Sequence, residues 1–272
     1  MNNYRLTLSY DGTKYNGWQR LSNTENTIQH KVETTLSRLL EQKIEVSSSG
    51  RTDAGVHARR QICSFRAETM LTCEELLGEL RRYLPQDIGA LDLTPASPRF
   101  HARLNCVGKT YLYRIWNSET PNVFERNYLY VYSVPLDIEA MKEAAALLCG
   151  EHDFSAFTSA KQMKKSAVRR IDSIIIKRKE EEVQLFFTGN GFLYHMVRIL
   201  VGTLLEVGTG KRKPEEIPGI LASREREQAG FLAPAKGLTL WDVKKKKIET
   251  GSFRSEKTLF FHLVISVRCI TP

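Results

Sequence analysis

The first half of the chain alternates between strand-like and helix-like spacings of hydrophobic residues. A period of two from Tyr4 to Tyr10 predicts a half-buried strand. Apolar residues at helical spacing from Ile28 to Leu40, and again from Leu76 to Leu84, predict two helices. Short apolar runs at 44–48 and 62–65 predict two further strands. This order of strand, helix, strand, strand, helix and strand is typical of an α+β fold with mostly antiparallel pairing.

Capping residues define where the predicted helices begin and end. Asn26 with Gln29 resembles a capping box for the first helix, and Thr72 with Glu75 resembles one for the second. Pro85 is expected to end the second helix.

The second half has similar content. We expect a long strand from Val107 to Ile115, a helix after Asp137 that reaches Leu148, a strand pair at 171–176 and 183–187, and a helix from Met196 to Leu205. Two halves of like order suggest a duplication. We therefore predict an N-terminal half over 1–105, a C-terminal half over 106–248 that completes a shared cleft, and a C-terminal tail over 249–272.

The tail contains an apolar, strand-like run from Leu259 to Val267, for which a packed tail is the simplest interpretation and an added edge strand or a partner site is the alternative. His262 and Ser266 interrupt this run, which is too short to span a bilayer. The N-terminus has no apolar signal-peptide core. We therefore expect no membrane association and a cytoplasmic location.

The charge of the chain favours a polyanionic partner. The formal net charge is +9 over 272 residues. Basic residues cluster at 161–170, 211–213 and 244–247, which together favour a phosphate-binding surface over three merely solvated loops. The five cysteines are odd in number and none forms a C-x-x-C pair, which excludes a sequence-local zinc ribbon and makes reduced thiols the simple interpretation.

The segment from Gly50 to His57, G-R-T-D-A-G-V-H, carries the most chemistry. It lies between two predicted strands, and its glycines permit a tight loop that a ligand can approach closely. It brings together a guanidinium (Arg51), a carboxylate (Asp53) and an imidazole (His57). From spacing alone, an ordinary hairpin in which Asp53 caps its own backbone is the favoured interpretation, and an active site is the alternative.

This octapeptide resembles the signature of the TruA family of tRNA pseudouridine synthases. Five further segments resemble family motifs in the family's order, and together they cover the chain from about Tyr4 to Val243. They are Y-D-G-T-K-Y-N-G-W-Q-R at 10–20, F-H-A-R at 100–103 with K-T-Y-L-Y-R at 109–114, G-E-H-D-F-S-A-F at 150–157, N-G-F-L-Y-H-M-V-R at 190–198 and G-L-T-L-W at 237–241. The tail from Lys244 onward carries none of them.

The resemblance implies a catalytic set. Asp53 matches the family's essential aspartate, which can attack C1′ as a nucleophile, or can assist the departure of uracil and abstract the C2′ proton. The sequence does not choose among these routes. Arg198 matches the arginine that pairs with this aspartate, and Tyr111 matches the active-site tyrosine. Without the family, Arg198 is either solvent-exposed or paired in a buried site, and Tyr113 shares the face of Tyr111.

The resemblance also implies residues that bind substrate. Arg51 matches the arginine that helps to displace a flipped base. His57 and Tyr111 are expected near the uridine, and His195 is expected to pack or contact RNA rather than transfer protons. Trp18 and Tyr15 are expected beside the loop. Candidate phosphate contacts are Lys14, Arg20, Arg103, Lys164 and Lys165.

The implied function is the isomerisation of uridine to pseudouridine at positions 38, 39 and 40 of tRNA, in the anticodon stem-loop. The implied fold is the α+β pseudouridine synthase fold, with two related halves around a basic cleft. We expect no cofactor, because the reaction needs no redox step or energy input, and the family implies a homodimer that binds tRNA. Three alternatives are the same chemistry on another RNA, an RNA-binding module without catalysis, and a zinc deaminase. The last is disfavoured because the H-x-E and P-C-x-x-C signatures do not occur.

Overall fold

A single mixed sheet runs through both halves of the described chain. The computed structural model describes residues 1–160 and 166–246. The main path of the sheet follows the order β4-β1-β3-β10-β5-β9-β8-β7, with β2 paired to β3 and β6 paired to β5. Its strands are β1 (Asn2–Tyr10), β2 (Ser47–Ser48), β3 (His57–Ala67), β4 (Ile88–Ala96), β5 (Cys106–Trp116), β6 (Tyr130–Val131), β7 (Gly150–Asp153), β8 (Val168–Lys179), β9 (Glu182–Gly189) and β10 (Leu238–Lys245).

The pairing is mainly antiparallel, as the pattern predicted. The exceptions are β10 with β3 and β5 with β6, which are parallel. The sequence predicted the strands of the N-terminal half in the right order but with inexact bounds. The strand predicted at 44–48 is reduced to the two residues of β2, and the one predicted at 62–65 is part of the much longer β3.

Five α-helices are present in the described residues, and none of them is long and apolar enough to cross a bilayer. The helix predicted to begin at an Asn26–Gln29 capping box is capped instead by Thr27, whose hydroxyl accepts from His30 N–H. The Thr72–Glu75 capping box and the Asp137 cap are both confirmed. The helices are α1 (Ile28–Leu39), α2 (Cys73–Tyr83), α3 (Ile138–Leu147), α4 (Met196–Gly208) and α5 (Ile217–Ser223).

The strand β10 joins the two halves of the sheet. It comes last among the described elements, yet it lies between β3 of the N-terminal half and β5 of the C-terminal half. Thr239 pairs with His57 on one side and with Leu112 on the other. The sheets of the two halves are therefore continuous, and residues of both halves meet where β3, β10 and β5 are adjacent.

The helix α4 is buried almost all round, which explains why its sequence is nearly all apolar. Gly202 lets the chain at Phe231 lie directly against this helix, since a Cβ at position 202 would be 1.8 Å from the Phe231 carbonyl oxygen. On the next residue, the Thr203 hydroxyl accepts from Gly230 N–H at 2.9 Å. This packing fixes the helix that carries Arg198.

Replacing Gly202 with alanine should therefore destabilise the protein by about 1–3 kcal/mol, because the added methyl group overpacks a site where backbone has to move. The Gly219→Ala variant is the matched control. Gly219 also lies in a helix, α5, but an added Cβ would meet nothing within 4 Å, so this change should be neutral or should stabilise by about 0.5–1 kcal/mol. Urea unfolding followed by circular dichroism measures both, and equal midpoints for the two variants would contradict the packing argument.

Candidate active site

The loop from Gly50 to Val56 is held by the segment that follows β1. The Thr52 carbonyl accepts from Trp18 N–H at 3.0 Å, and the Tyr15 carbonyl accepts from Gly55 N–H at 3.3 Å. The Tyr10 hydroxyl bonds the Thr52 hydroxyl at 2.8 Å. Trp18 and Tyr15 thus lie beside the loop, where the sequence led us to expect them.

Close backbone approach explains several glycines in these two segments. A Cβ at Gly12 would lie 2.1 Å from the Val56 carbonyl oxygen, and one at Gly17 would lie 2.7 Å from that of Thr52. Gly17 and Gly55 also have positive φ angles of 89° and 75°. Gly50 has a different role, since a Cβ there would lie 2.7 Å from Lys109 Nζ. The loop is therefore a rigid support for Asp53.

The Asp53 side chain lines a cavity of about 830 Å³. This volume lies within the usual range for sites that bind a small molecule or a single nucleotide. The cavity is lined from both halves of the chain. Its charged and aromatic lining residues are Trp18, Arg51, Asp53, His101, Arg103, Lys109, Tyr111, Arg169, Phe192, Tyr194, His195 and Arg198.

Arg198 and Asp53 form a partly buried ion pair. Arg198 Nη1 lies 3.7 Å from Asp53 Oδ2, and the two side chains are 12% and 22% exposed. Arg198 Nε donates to the Ala233 carbonyl at 2.7 Å, which fixes the guanidinium. Burial raises the pKa of Asp53 above its usual value, and the positive charge of Arg198 opposes this rise. The guanidinium therefore favours the ionised carboxylate without lowering its pKa below normal.

Tyr111 and Tyr113 lie in different environments in the structure, although their positions on one strand predict the same face for both. Tyr111 lines the cavity and packs edge-on against Phe192, with ring centroids 5.3 Å apart. Tyr113 lies deeper, is fully buried, and donates its hydroxyl to the Pro234 carbonyl at 2.8 Å. Burial raises the pKa of the Tyr111 phenol, so this hydroxyl stays protonated at neutral pH.

His195 is the second group that faces Asp53. Its Nε2 atom lies 3.7 Å from Asp53 Oδ2. Burial and the charges of Arg198 and Arg226 lower its pKa to about 4, so the imidazole is neutral at neutral pH. Its backbone is left-handed, with φ of 63°, at the residue that precedes α4.

Four lysine or arginine side chains besides Arg198 line the same cavity. Arg51 and Arg103 are exposed, whereas Lys109 and Arg169 are partly buried. Burial lowers the pKa of Lys109, and the positive charges of Arg103 and Arg169 lower it further. This cluster is suited to phosphate groups, which would relieve the repulsion among the cations.

Three other expected binding residues, His57, Arg20 and Lys14, lie away from the cavity lining. His57 is buried, with its Nδ1 accepting from Gly12 N–H at 3.0 Å and its Nε2 within 3.2 Å of the Asn127 and Lys236 carbonyls. Arg20 pairs with Glu33 at 3.0 Å, and Lys14 is exposed. Lys164 and Lys165 lie outside the described residues.

Comparison with known proteins identifies the family of the chain. A family model described as tRNA pseudouridine synthase matches residues 7–104 and 144–244. This chain belongs to the tRNA pseudouridine synthase family. The resemblance seen in the motifs is thus confirmed, as is the prediction that the chain is an isomerase of the tRNA pseudouridine synthase class.

Individual relatives of this family match over nearly their full length. The chain is 49% identical over 240 residues to tRNA pseudouridine synthase A of Bacillus sp. (strain KSM-64). The aligned region covers 88% of this chain and 98% of the relative. It is 46% identical over 243 residues to tRNA pseudouridine synthase A 2 of Bacillus cereus (strain ZK / E33L), covering 89% and 99%. A solved chain of a Cbf5-Nop10-Gar1 complex aligns with a TM-score of 0.36 and 14% identity, covering 75% of this chain and 45% of that one. That likeness is too low to support an inference.

Lys109 is a cavity residue of this family member that the motif reasoning did not assign. It precedes Tyr111 by two residues on β5, so both side chains share one face of the strand. The alternation of the K-T-Y segment already places Lys109 on the face of Tyr111, but a lysine near a strand end is usually exposed to solvent. The structure shows that Lys109 lines the cavity, with its Nζ close to Gly50.

Metal ligation has no candidate in the part of the chain that the structure describes. Among residues 1–160 and 166–246, no group of three or more His, Cys, Asp or Glu side chains is placed to hold an ion.

The basic cavity cluster leads to a prediction about the salt dependence of tRNA binding. Arg169→Gln should reduce the slope of log K against log salt concentration by about 0.7–0.9, the value for the loss of one phosphate contact. The control is Arg178→Gln on the same strand, since Arg178 is exposed and does not line the cavity. Filter binding over a series of salt concentrations measures both slopes. An unchanged slope for Arg169→Gln would remove Arg169 from the RNA contact surface.

Proposed function

We propose that this enzyme converts uridine to pseudouridine at positions 38, 39 and 40 of the tRNA anticodon stem-loop, with Asp53 as the catalytic residue. One observation carries the proposal. Asp53 is the only carboxylate lining the cavity within the described residues, and it is faced by Arg198 and lies in one cavity with Tyr111.

The reaction requires one glycosidic bond to break and another to form. The N1–C1′ bond is cleaved, the uracil turns within the cavity, and C5 bonds to C1′. The proton on C5 is then lost and N1 gains a proton, so no atom or electron is left over. Asp53 acts by one of two routes: attack at C1′ to form a bond that C5 later displaces, or assistance to the departing uracil with removal of the C2′ proton, which returns to C2′ when C5 bonds to C1′.

The neighbouring residues suit a base that has left the helical stack. Arg51 is exposed at the cavity and can occupy the space that the flipped base vacates. Tyr111, held against Phe192, offers an aromatic face to the uracil. Arg103, Arg169 and Lys109 would hold the phosphates on either side.

The test is tritium release from tRNA labelled with [5-³H]uridine, since every pseudouridine formed releases the hydrogen from C5. We expect release from wild-type tRNA and much less from a transcript in which positions 38, 39 and 40 are cytidines. Equal release from both transcripts would refute the proposed positions. Release from ribosomal RNA alone would favour the alternative substrate, and RNA binding without any release would favour a module that does not catalyse.

We also propose a homodimer that binds tRNA and works in the cytoplasm without a cofactor. The resemblance to the TruA family supports the dimer, and the free thiols of Cys63, Cys73, Cys106 and Cys149 fit a reducing compartment. Light scattering coupled to size-exclusion chromatography would detect the dimer, and a single-subunit mass would refute it.

A further inference from the structure

Tyr194 forms an exposed aromatic surface at the edge of the cavity. Its side chain lines the cavity and is 54% exposed, whereas Tyr111 in the same cavity is 7% exposed. The Tyr194 ring stacks on His195, with centroids 3.7 Å apart and planes 26° from parallel. One face of Tyr194 is therefore covered by His195 and the ring remains accessible to a ligand.

The two rings are held by backbone contacts on both sides. The Tyr194 carbonyl accepts from Thr158 Oγ1 at 3.0 Å and from Ser159 N–H at 3.4 Å. His195 takes the left-handed conformation at which α4 begins, and its carbonyl accepts from Ile199 N–H at 3.1 Å. A non-glycine residue in this conformation is costly and tends to occur where a side chain has to be aimed for function.

His195 links this surface to the catalytic carboxylate. On its inner side the imidazole Nε2 lies 3.7 Å from Asp53 Oδ2. Its buried Nδ1 has no hydrogen-bond partner among residues 1–160 and 166–246. The series Asp53, His195 and Tyr194 thus runs from the reacting position to the mouth of the cavity.

We propose that Tyr194 stacks on an RNA base that neighbours the target uridine, and that His195 supports the Tyr194 ring from behind. This inference rests on the proposed function and adds a positioning residue to it. When the uridine enters the cavity, the adjacent nucleotide remains at its mouth, and a stacked base there would fix the strand relative to Asp53. Stacking on an aromatic ring accepts any base, so the same surface serves three successive target positions.

The test compares Tyr194→Ala with Tyr194→Phe, since phenylalanine keeps the ring and loses only the hydroxyl. We expect Tyr194→Ala to raise the KM for tRNA about tenfold, the effect of losing one base–aromatic stack. The kcat at saturating tRNA should stay close to wild type, and Tyr194→Phe should behave as wild type in both parameters. The control is Tyr83→Ala, because Tyr83 is also an exposed tyrosine but lies on α2 and does not line the cavity.

A direct readout uses stem-loop RNA with 2-aminopurine beside the target uridine. Its fluorescence should be quenched on binding to wild type and Tyr194→Phe, and not on binding to Tyr194→Ala. Unchanged KM and quenching in Tyr194→Ala would overturn the proposal, as would an equal loss in Tyr194→Phe. Absence of tritium release by the wild type would refute the proposed function instead, and the quenching experiment would still test the stack.

Discussion

Replacing Asp53 with asparagine is expected to reduce tritium release from tRNA by at least about 10³-fold, because the amide can neither attack C1′ nor accept a proton. The affinity for tRNA should remain close to that of the wild type. The substitution is nearly isosteric, the loop is held by the backbone bonds of Thr52 and Gly55, and the basic residues of the cavity are untouched. Single-turnover tritium release and filter binding measure the two effects separately.

A matched control for this change is Asp92→Asn. Asp92 is also paired with an arginine, since its Oδ2 lies 3.0 Å from Arg5 Nη2, but it does not line the cavity. Release by Asp92→Asn should equal that of the wild type. Wild-type activity in Asp53→Asn would refute the proposed chemistry, and a loss of tRNA binding as large as the loss of turnover would show that Asp53 serves mainly to bind RNA.

Removing the charge of Arg198 should shift the pH dependence of the reaction. Burial already raises the pKa of Asp53 and Arg198 opposes that rise, so Arg198→Gln should raise this pKa further, by about 1–3 units. In the proposed mechanism the active form of Asp53 is the carboxylate, which is lost as the pH falls through its pKa. The acid limb of the kcat/KM profile should therefore move to higher pH by the same amount. Burial, the main cause that lowers the pKa of His195, is unchanged in this variant, although the variant lacks the Arg198 charge that also lowers it.

The conservative variant Arg198→Lys separates charge from geometry. It keeps a cation near Asp53 but loses the Nε bond to the Ala233 carbonyl, so its acid limb should lie between those of the wild type and Arg198→Gln. Arg60→Gln is the control for loss of an arginine, since Arg60 pairs with Asp242 outside the cavity. An acid limb that is the same in Arg198→Gln and the wild type would show that Arg198 does not set the ionisation of Asp53.

Sequence patterns were informative wherever local physics decides the outcome. Period-two alternation located β1 and β9, and the capping box at Thr72 located the start of α2. The cap of α1 was assigned one residue early because Asn26 and Thr27 are both good capping residues and only the backbone conformation selects Thr27. Five site residues predicted from the motifs line one cavity in the structure: Asp53, Arg51, Tyr111, Arg103 and Arg198.

The site features that the sequence did not predict depend on packing between residues far apart in the chain. The motif included His57 as a substrate contact, yet its ring nitrogens are occupied by backbone groups from three separate segments, at Gly12, Asn127 and Lys236. Similarly, Tyr194 is one more aromatic in an apolar segment until the left-handed turn at His195 aims it toward the cavity. Such contacts depend on residues far apart in the chain, and no local period encodes them.

The position of β10 has a consequence for the order in which the enzyme acquires activity during synthesis. This strand is the last described element to leave the ribosome, and β3 and β5 are not neighbours in the sheet without it. The segment that carries Asp53 emerges nearly two hundred residues earlier, but its alignment with Tyr111 depends on this seam. In a nascent chain halted before β10, Asp53 and Tyr111 would be present but the strand that aligns them would be missing. We therefore expect no pseudouridine formation by a chain that lacks β10, and the long-range pairing of this strand favours slow folding.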